Sequence, residues 1–183
     1  MQFDYFYSDP HYGHGNIIKY CNRPFRDADH MTEEMIRRYN DVVGKHDAAL
    51  WLGDCFFNLG LVERVLDRLN GSKWLLRGNH DRNVTDTRFL NAGFEAVFPM
   101  GFASFIDDVP VRFSHYPYLG HSNDARYPDR RPPRERGVVL IHGHTHEKRR
   151  LTHNKTVHVG VDAWDYGPAS YDDVLALARR ALR

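Results

Sequence analysis

The chain has 183 residues and a formal net charge of +1, with 42% hydrophobic and 27% charged side chains. That length suits one domain spanning residues 1–183, able to bury roughly 70% of the surface its unfolded chain would expose. The near-neutral balance argues against a dedicated duplex-binding surface, so a stable nucleic-acid complex is not expected.

In chain order, "FDYFYSD" reads as a short aromatic-rich strand ending at Asp9. "MTEEMIRRYNDVVG" sets Met31, Met35, Tyr39 and Val42 at helical spacing, with Gly44 as a stop. "AALWLGD" is a buried strand that turns at Gly53, and "LVERVLDRLNG" is an amphipathic helix closed by Asn70 and Gly71. "KWLLRGNHD" repeats the strand-into-glycine-turn pattern. This strand–helix–strand alternation implies right-handed crossovers in an α/β sheet.

The second half changes character. "EAVF", "ASFID", "VPVRFSH", "VVLIHGH" and "TVHVGVD" are short strands with little helix between them. The chain closes on "SYDDVLALARRALR", where Ser170 and Asp173 have capping-box spacing. The predicted fold class is therefore α/β, with two packed sheets and helices outside. Between Tyr116 and Gly137 a Pro- and Arg-rich stretch has no apolar period, and residues 117–137 are expected to form a long loop.

Two cysteines, Cys21 and Cys55, fit a reducing compartment. No run approaches the ~20 apolar residues that a membrane-spanning helix needs. The opening "MQFDYFYSDPHYGHG" lacks the charged and apolar segments of a signal peptide. A cytoplasmic protein without membrane contact is expected.

Histidine is the unusual component, with 12 residues, and it is the commonest side-chain metal ligand. In "HGHTH", His142, His144 and His146 fall on alternate positions. On a continuing strand all three would face one side, whereas a turn at Gly143 would aim two imidazoles at one point. A polar turn with solvated histidines is the bland alternative. Other ligand-type residues also sit where strands end: Asp9 and His11 in "SDPH", Asp54 in "GD", Asn79, His80 and Asp81 in "GNHD", and His115 in "VRFSH". In open α/β sheets such turns converge on a crevice at the carboxyl ends of the strands.

Taken in order, "DPH", "GD", "GNHD", "SHYP" and "GHTH" resemble the motif series of the calcineurin-like metallophosphoesterases, in particular their small single-domain phage and bacterial members. The resemblance implies two mixed β-sheets packed as a four-layer α/β/β/α sandwich. It also implies two divalent transition-metal ions, drawn from Mn, Fe, Zn, Co or Ni, with Mn expected to support activity. Asp9, His11 and His146 would hold one ion and Asp54 would bridge to the second. Asn79, His115 and His144 would complete the second site. His80 would lie over the substrate phosphate, oriented by Asp81 through its other ring proton. His142 is left over, as a residue that supports the ligands or packs.

The implied activity is phosphoester hydrolysis by metal-bound hydroxide, with small phosphate esters, nucleotides included, as substrates. Two divalent ions less two carboxylates and one hydroxide leave about one net positive charge, which favours small phosphodiesters such as cyclic nucleotides over monoesters. A phosphomonoesterase or nuclease built on the same site is the alternative, and a non-catalytic metal-binding scaffold is a third reading. His14, Asn16 and Arg23 are weaker candidates for substrate contact. Arg126, Arg130, Arg131, Arg134 and Arg136 in the long loop are candidate specificity residues. Asp162 and Asp165 in "VDAWD" read as structural.

Overall fold

The computed structural model describes residues 2–118 and 127–183. The first half alternates strand and helix: β1 (Tyr5–Tyr7), α1 (Gly15–Tyr20), α2 (Ala28–Val42), β2 (Ala48–Trp51), α3 (Val62–Leu66), β3 (Ser72–Leu76), α4 (Asp86–Asn91) and β4 (Phe94–Phe98). The second half adds β5 (Phe102–Ile106), β6 (Val109–Phe113), β7 (Val139–His142), β8 (Val157–His158), β9 (Ala169–Ser170) and α5 (Tyr171–Leu182).

One sheet has the order β4-β3-β2-β1-β9. Strands β1 to β4 run parallel and β9 antiparallel to β1. Consecutive parallel neighbours need crossover helices, and these collect on one face. There Met31, Met35 and Tyr39 of α2 pack with Tyr7, Trp51, Leu75 and Phe89. Asp27 caps α2 by accepting the His30 amide proton at 2.8 Å. Val42, read as part of the same stripe, is instead exposed. It is the last residue of α2, and its carbonyl accepts the Tyr5 hydroxyl at 2.7 Å.

The other sheet has the order β5-β6-β7-β8, antiparallel between β5 and β6 and parallel beyond. The sheets meet through apolar side chains. Phe6 stacks on Phe113 at 5.4 Å, and Leu50, Leu52 and Leu76 join Val111, Ile141 and Val157 in one cluster. Val174, Ala178 and Ala181 of α5 belong to the same cluster. Truncating Phe6 or Phe113 to alanine would cost ~3–5 kcal/mol. Ser170 caps α5, accepting from the Asp173 amide at 3.2 Å, as the sequence spacing indicates. The protein is thus mixed α/β, with two packed mixed sheets flanked by helices.

Several elements differ from the sequence expectation. Helices α1 and α4 are only six residues each, too short to display a period. The helix expected through Gly71 stops at Leu66 and continues as turns. "TVHVGVD" gives only the two residues of β8 before a 3-10 turn at Val161–Ala163. Of the long loop, His121 and Arg126 lie outside the described residues. The described part is anchored: a 3-10 turn forms at Pro128–Arg130, Arg131 is buried, and Glu135 accepts from Arg112 of β6 at 2.6 Å.

This topology sets the site. Parallel pairing of β1, β2 and β3 brings their carboxyl ends to one edge, and β6 and β7 do the same in the second sheet. Backbone bonds carry the pairing into the loops beyond, from Gly143 to the His115 carbonyl at 3.1 Å and from Val161 to the Ser8 carbonyl at 3.0 Å.

Candidate metal centre

The residues just past these strands share an unusual backbone. Asp9, His11, Asp54, His144 and His146 all adopt the left-handed region, with φ of 59°, 53°, 54°, 70° and 52°. Asp and His tolerate that region better than most residues, yet each instance costs free energy that surrounding structure must offset. The effect is to turn each side chain inward at the edge of its sheet. Glycine makes room for them. A Cβ on Gly78 would sit 2.2 Å from Asp54 Oδ1, and one on Gly143 would sit 2.2 Å from Asp9 Oδ2.

Among the described residues the ligand-type side chains gather into four overlapping groups, each with its ligand atoms within 4.8 Å of one another. Asp9, His11 and His146 form one and Asp54, His115 and His144 a second, and these two match the sequence expectation. His11, Asp54 and His80 form a third, and Cys21, His146 and Asp162 a fourth. The first two touch where His11 Nε2 lies 3.6 Å from Asp54 Oδ2. Asn79 joins the second group, its Oδ1 3.3 Å from His115 Nε2.

Hydrogen bonds fix which ring atoms face inward. His115 Nδ1 donates to the Leu52 carbonyl at 2.7 Å. In the neutral ring Nε2 then carries a lone pair, and it faces Asn79 Oδ1, His144 Nδ1 at 3.1 Å and Asp54 Oδ1 at 3.5 Å. Such a crowd of acceptors needs positive charge among them, which a proton on His115 Nε2 supplies in the absence of an ion and a bound cation would replace. His146 spends Nδ1 on Asp162 at 2.9 Å, which leaves Nε2 for the site. His11 is buried, and among the described residues neither of its ring nitrogens has a hydrogen-bond partner. A buried imidazole with two unmet nitrogens is costly, and a cation ligated by one of them relieves that cost.

The electrostatics agree. Burial raises the pKa of Asp9. Burial also opposes the Asp54 carboxylate, but His115, His11 and His80 reverse this and hold it well below the usual range. Burial disfavours charge on His115 and His146 too, yet Asp54 lifts His115 to about 9, while Asp162, Cys21 and Asp9 lift His146 to about 10. The two carboxylates therefore draw positive charge into a buried space. The donors are two carboxylates (Asp9, Asp54), four imidazoles (His11, His115, His144, His146) and the Asn79 amide oxygen. Such a mixed N/O set fits borderline divalent transition ions better than Mg²⁺.

The remaining candidates divide. His80 stands at the mouth, with its side chain 38% exposed and Nε2 3.9 Å from Asp54 Oδ2. Asp81 does not orient it. The Asp81 carboxylate turns back under the loop and accepts backbone protons from Asp54 at 2.7 Å, Gly78 at 2.8 Å and Cys55 at 3.0 Å. Asp81 thus shapes the turn that presents Asp54 and is a positioning residue.

Arg23 is not a substrate contact. It is buried, grips both oxygens of Asp162 at 2.9 and 2.8 Å, and donates to the Asp9 and Pro10 carbonyls. Asp162, read from sequence as structural, links this arginine to His146. Asn16 is exposed on α1, and no hydrogen bond to the site is found for its side chain among the described residues. His14 does reach the rim, where it stacks on Phe57 at 3.8 Å. Phe57 carried no signal in the sequence beyond following "GDCF". His142 is a packing residue, bonded through Nε2 to Thr156 at 2.9 Å.

Among known proteins, no family model matches the chain. An uncharacterized protein of Methanocaldococcus jannaschii is 28% identical, covering 96% of this chain and 91% of that protein. A solved structure, a protein of unknown function from Aquifex aeolicus, superposes with a TM-score of 0.71 at 27% identity, covering 94% of this chain and 97% of that one. Gene 66 protein of Mycobacterium phage D29 is 30% identical, covering 87% of this chain and 88% of its own length. Gene 66 protein of Mycobacterium phage L5 is 31% identical, covering 90% and 88%. With that identity sustained over most of both chains, the protein belongs to the family of the mycobacteriophage gene 66 proteins.

Proposed function

We propose that this protein is a dinuclear metal-dependent phosphoesterase with the four-layer metallophosphoesterase architecture, acting on small phosphate esters and favouring diesters. The observation that carries the reading is the pair of ligand groups joined at His11 and Asp54, with both nitrogens of the buried His11 unmet. The ordered motifs from Asp9 to His146 support the same reading.

Asp9, His11 and His146 would hold one divalent ion, and Asn79, His115 and His144 the other, with Asp54 between them. The ions would supply Lewis-acid activation of water and neutralise phosphate charge. The protein's own part is to fix those ligands. Leu52 and Asp162 set the His115 and His146 tautomers, Asp81 holds the Asp54 turn, and the His144 amide bonds Asp9 at 2.9 Å. His80 is within ligand reach of His11 and Asp54, but each ion would have its ligands without it. At the mouth it would donate a proton to the leaving oxygen or stabilise charge developing there, worth typically 10²–10⁴-fold.

The deciding experiment is a hydrolysis screen with Mn²⁺ across monoesters, diesters, 2′,3′- and 3′,5′-cyclic nucleotides, and single-stranded DNA and RNA. Turnover of small diesters that disappears in excess chelator is expected. A preference for monoesters would overturn the diester assignment, and no metal-dependent turnover of any ester would overturn the function.

A further inference from the structure

Beside the centre lies an exposed aromatic surface that metal binding does not use. Phe57 follows the fully buried run Trp51–Phe56 but is 52% exposed. Its ring lies 3.8 Å from that of His14, with only 5° between the planes. Aromatic pairs left to themselves prefer offset or edge-on contacts at about 4.5–7 Å, so the fold imposes this stack.

The imposing contacts are backbone ones. Tyr12 and Phe56 form an isolated bridge, and the amides of Phe57 and Asn58 both donate to the Tyr12 carbonyl, at 3.0 and 3.2 Å. Gly13, with φ of 79°, allows the two loops to close, since a Cβ there would sit 2.5 Å from Asn58 Cβ. Tyr20, itself exposed, meets His14 edge-on at 6.4 Å and extends the wall.

A single exposed phenylalanine needs no explanation. One stacked on an imidazole at the mouth of the candidate centre does. The Phe57 ring is 6.0 Å from His80, and the His14 ring is 6.3 Å from His80 and 5.6 Å from His11. A group attached to a phosphate at the centre would pass this surface.

We propose that Phe57, backed by His14, is a platform that stacks a flat ring carried by the substrate, a nucleobase or an aryl group, one short linker away from phosphorus. This rests on the phosphoesterase reading, and it adds a specificity residue that the ligand motifs do not contain. Stacking works on any π face, so the platform would select for planarity rather than base identity.

The test uses the full chain with Mn²⁺ and titration calorimetry of AMP, phenyl phosphate and ribose 5-phosphate against wild type, Phe57→Ala and Phe57→Trp. AMP or phenyl phosphate should bind wild type roughly tenfold or more tighter than ribose 5-phosphate, within the usual range for one stacked ring. Phe57→Ala should erase that advantage while leaving ribose 5-phosphate unchanged, and Phe57→Trp should keep it. The arm that responds identifies the ring as nucleobase or aryl. Equal losses for all three ligands, or none, would overturn the platform. Ring-dependent binding without hydrolysis of any ester would overturn the phosphoesterase reading and leave the platform standing.

Discussion

His11 Nε2 lies 3.6 Å from Asp54 Oδ2, so the group of Asp9, His11 and His146 meets that of Asp54, His115 and His144 across one imidazole–carboxylate contact. His11 comes from the loop after β1 and Asp54 from the loop after β2. The backbone locks those loops together, with the His11 amide donating to the Asp54 carbonyl at 3.1 Å.

That contact makes metal binding and stability inseparable. Two Mn²⁺ per chain are expected by elemental analysis. Saturation with ions at about 100 times their dissociation constant adds ~2.7 kcal/mol per site, about 5.4 kcal/mol for two, so removing both should lower Tm by roughly 10–20 °C. Asp54→Asn should lose both ions rather than one, because its carboxylate serves both groups. A variant that retains one ion at full affinity would refute the bridging role.

His80→Ala separates binding from turnover. His80 sits at the mouth within ligand reach of His11 and Asp54, but each proposed ion has its own ligands without it, so the variant should keep both ions and lose about 10²-fold or more in kcat. Esters with good leaving groups should suffer least, since they need no proton. A uniform loss across leaving groups would assign His80 to positioning instead.

The buried clamp behind His146 predicts an acid-dependent phenotype. Burial alone would raise the Asp162 pKa, but hydrogen bonds from His146 and Arg23 outweigh it and hold the carboxylate low. A carboxylate with a depressed folded pKa contributes stability that is fully present above its unfolded value, about 3.9, and lost as pH falls through the folded one. Arg23→Ala removes one of those partners and moves the loss to higher pH. The variant should unfold in acid at a higher pH than wild type. At neutral pH it should be ~3–5 kcal/mol less stable, because it strands the buried Asp162 charge. Denaturant midpoints across pH 3–7 check both. A stable Arg23→Ala protein with only a raised KM would restore the substrate role.

The ligand-type residues were legible in the sequence because each follows a strand-like run, and parallel pairing carries the ends of such runs to one edge. Their supports were not legible. Asp81 adjoins His80 in sequence, but the 3-10 turn Asp81–Asn83 points its carboxylate at the amides beneath. Arg23 and Asp162 stand 139 positions apart, and no local pattern pairs them. Phe57 looks like one more core aromatic in "GDCFF", and only the bridge at Phe56 turns it outward. Short helices escaped for a related reason. Six residues give too few turns for a period, and packing rather than propensity decides them.

Glycine at 143 is required by the close approach of Asp9. A Cβ there would stand 2.0 Å from Ser8 Oγ and 2.2 Å from Asp9 Oδ2. Gly143→Ala should push the Asp9 carboxylate aside at a cost of about 1–3 kcal/mol. The ion held by Asp9, His11 and His146 should be lost first, giving one Mn²⁺ per chain where Asp54→Asn gives none. Two ions bound at wild-type affinity would show that the loop can yield.

Arg130, Arg134 and Arg136 of the long loop lie in different surroundings, and this yields a prediction under the proposed function. Arg134 donates to the Asn154 carbonyl at 2.8 Å and lies over the Tyr118 ring. With Arg136 it borders a groove shared with Ala181 and Leu182, and no ligand-group residue lines that groove. Arg130 differs. It lines a cavity of about 360 Å³ together with Leu76, Pro99, Met100, Tyr116 and His115, the last a member of the Asp54 group. Among the described residues the buried Tyr116 hydroxyl has no hydrogen-bond partner, so a polar substrate atom entering here would meet an unmet group. Arg130→Ala should therefore raise KM several-fold for diesters carrying a second substituent and leave simple monoesters nearly unchanged. Arg134→Ala and Arg136→Ala should alter neither. Equal effects from all three variants would mean that the loop acts through its net charge, and a silent Arg130→Ala would remove the cavity from the substrate path.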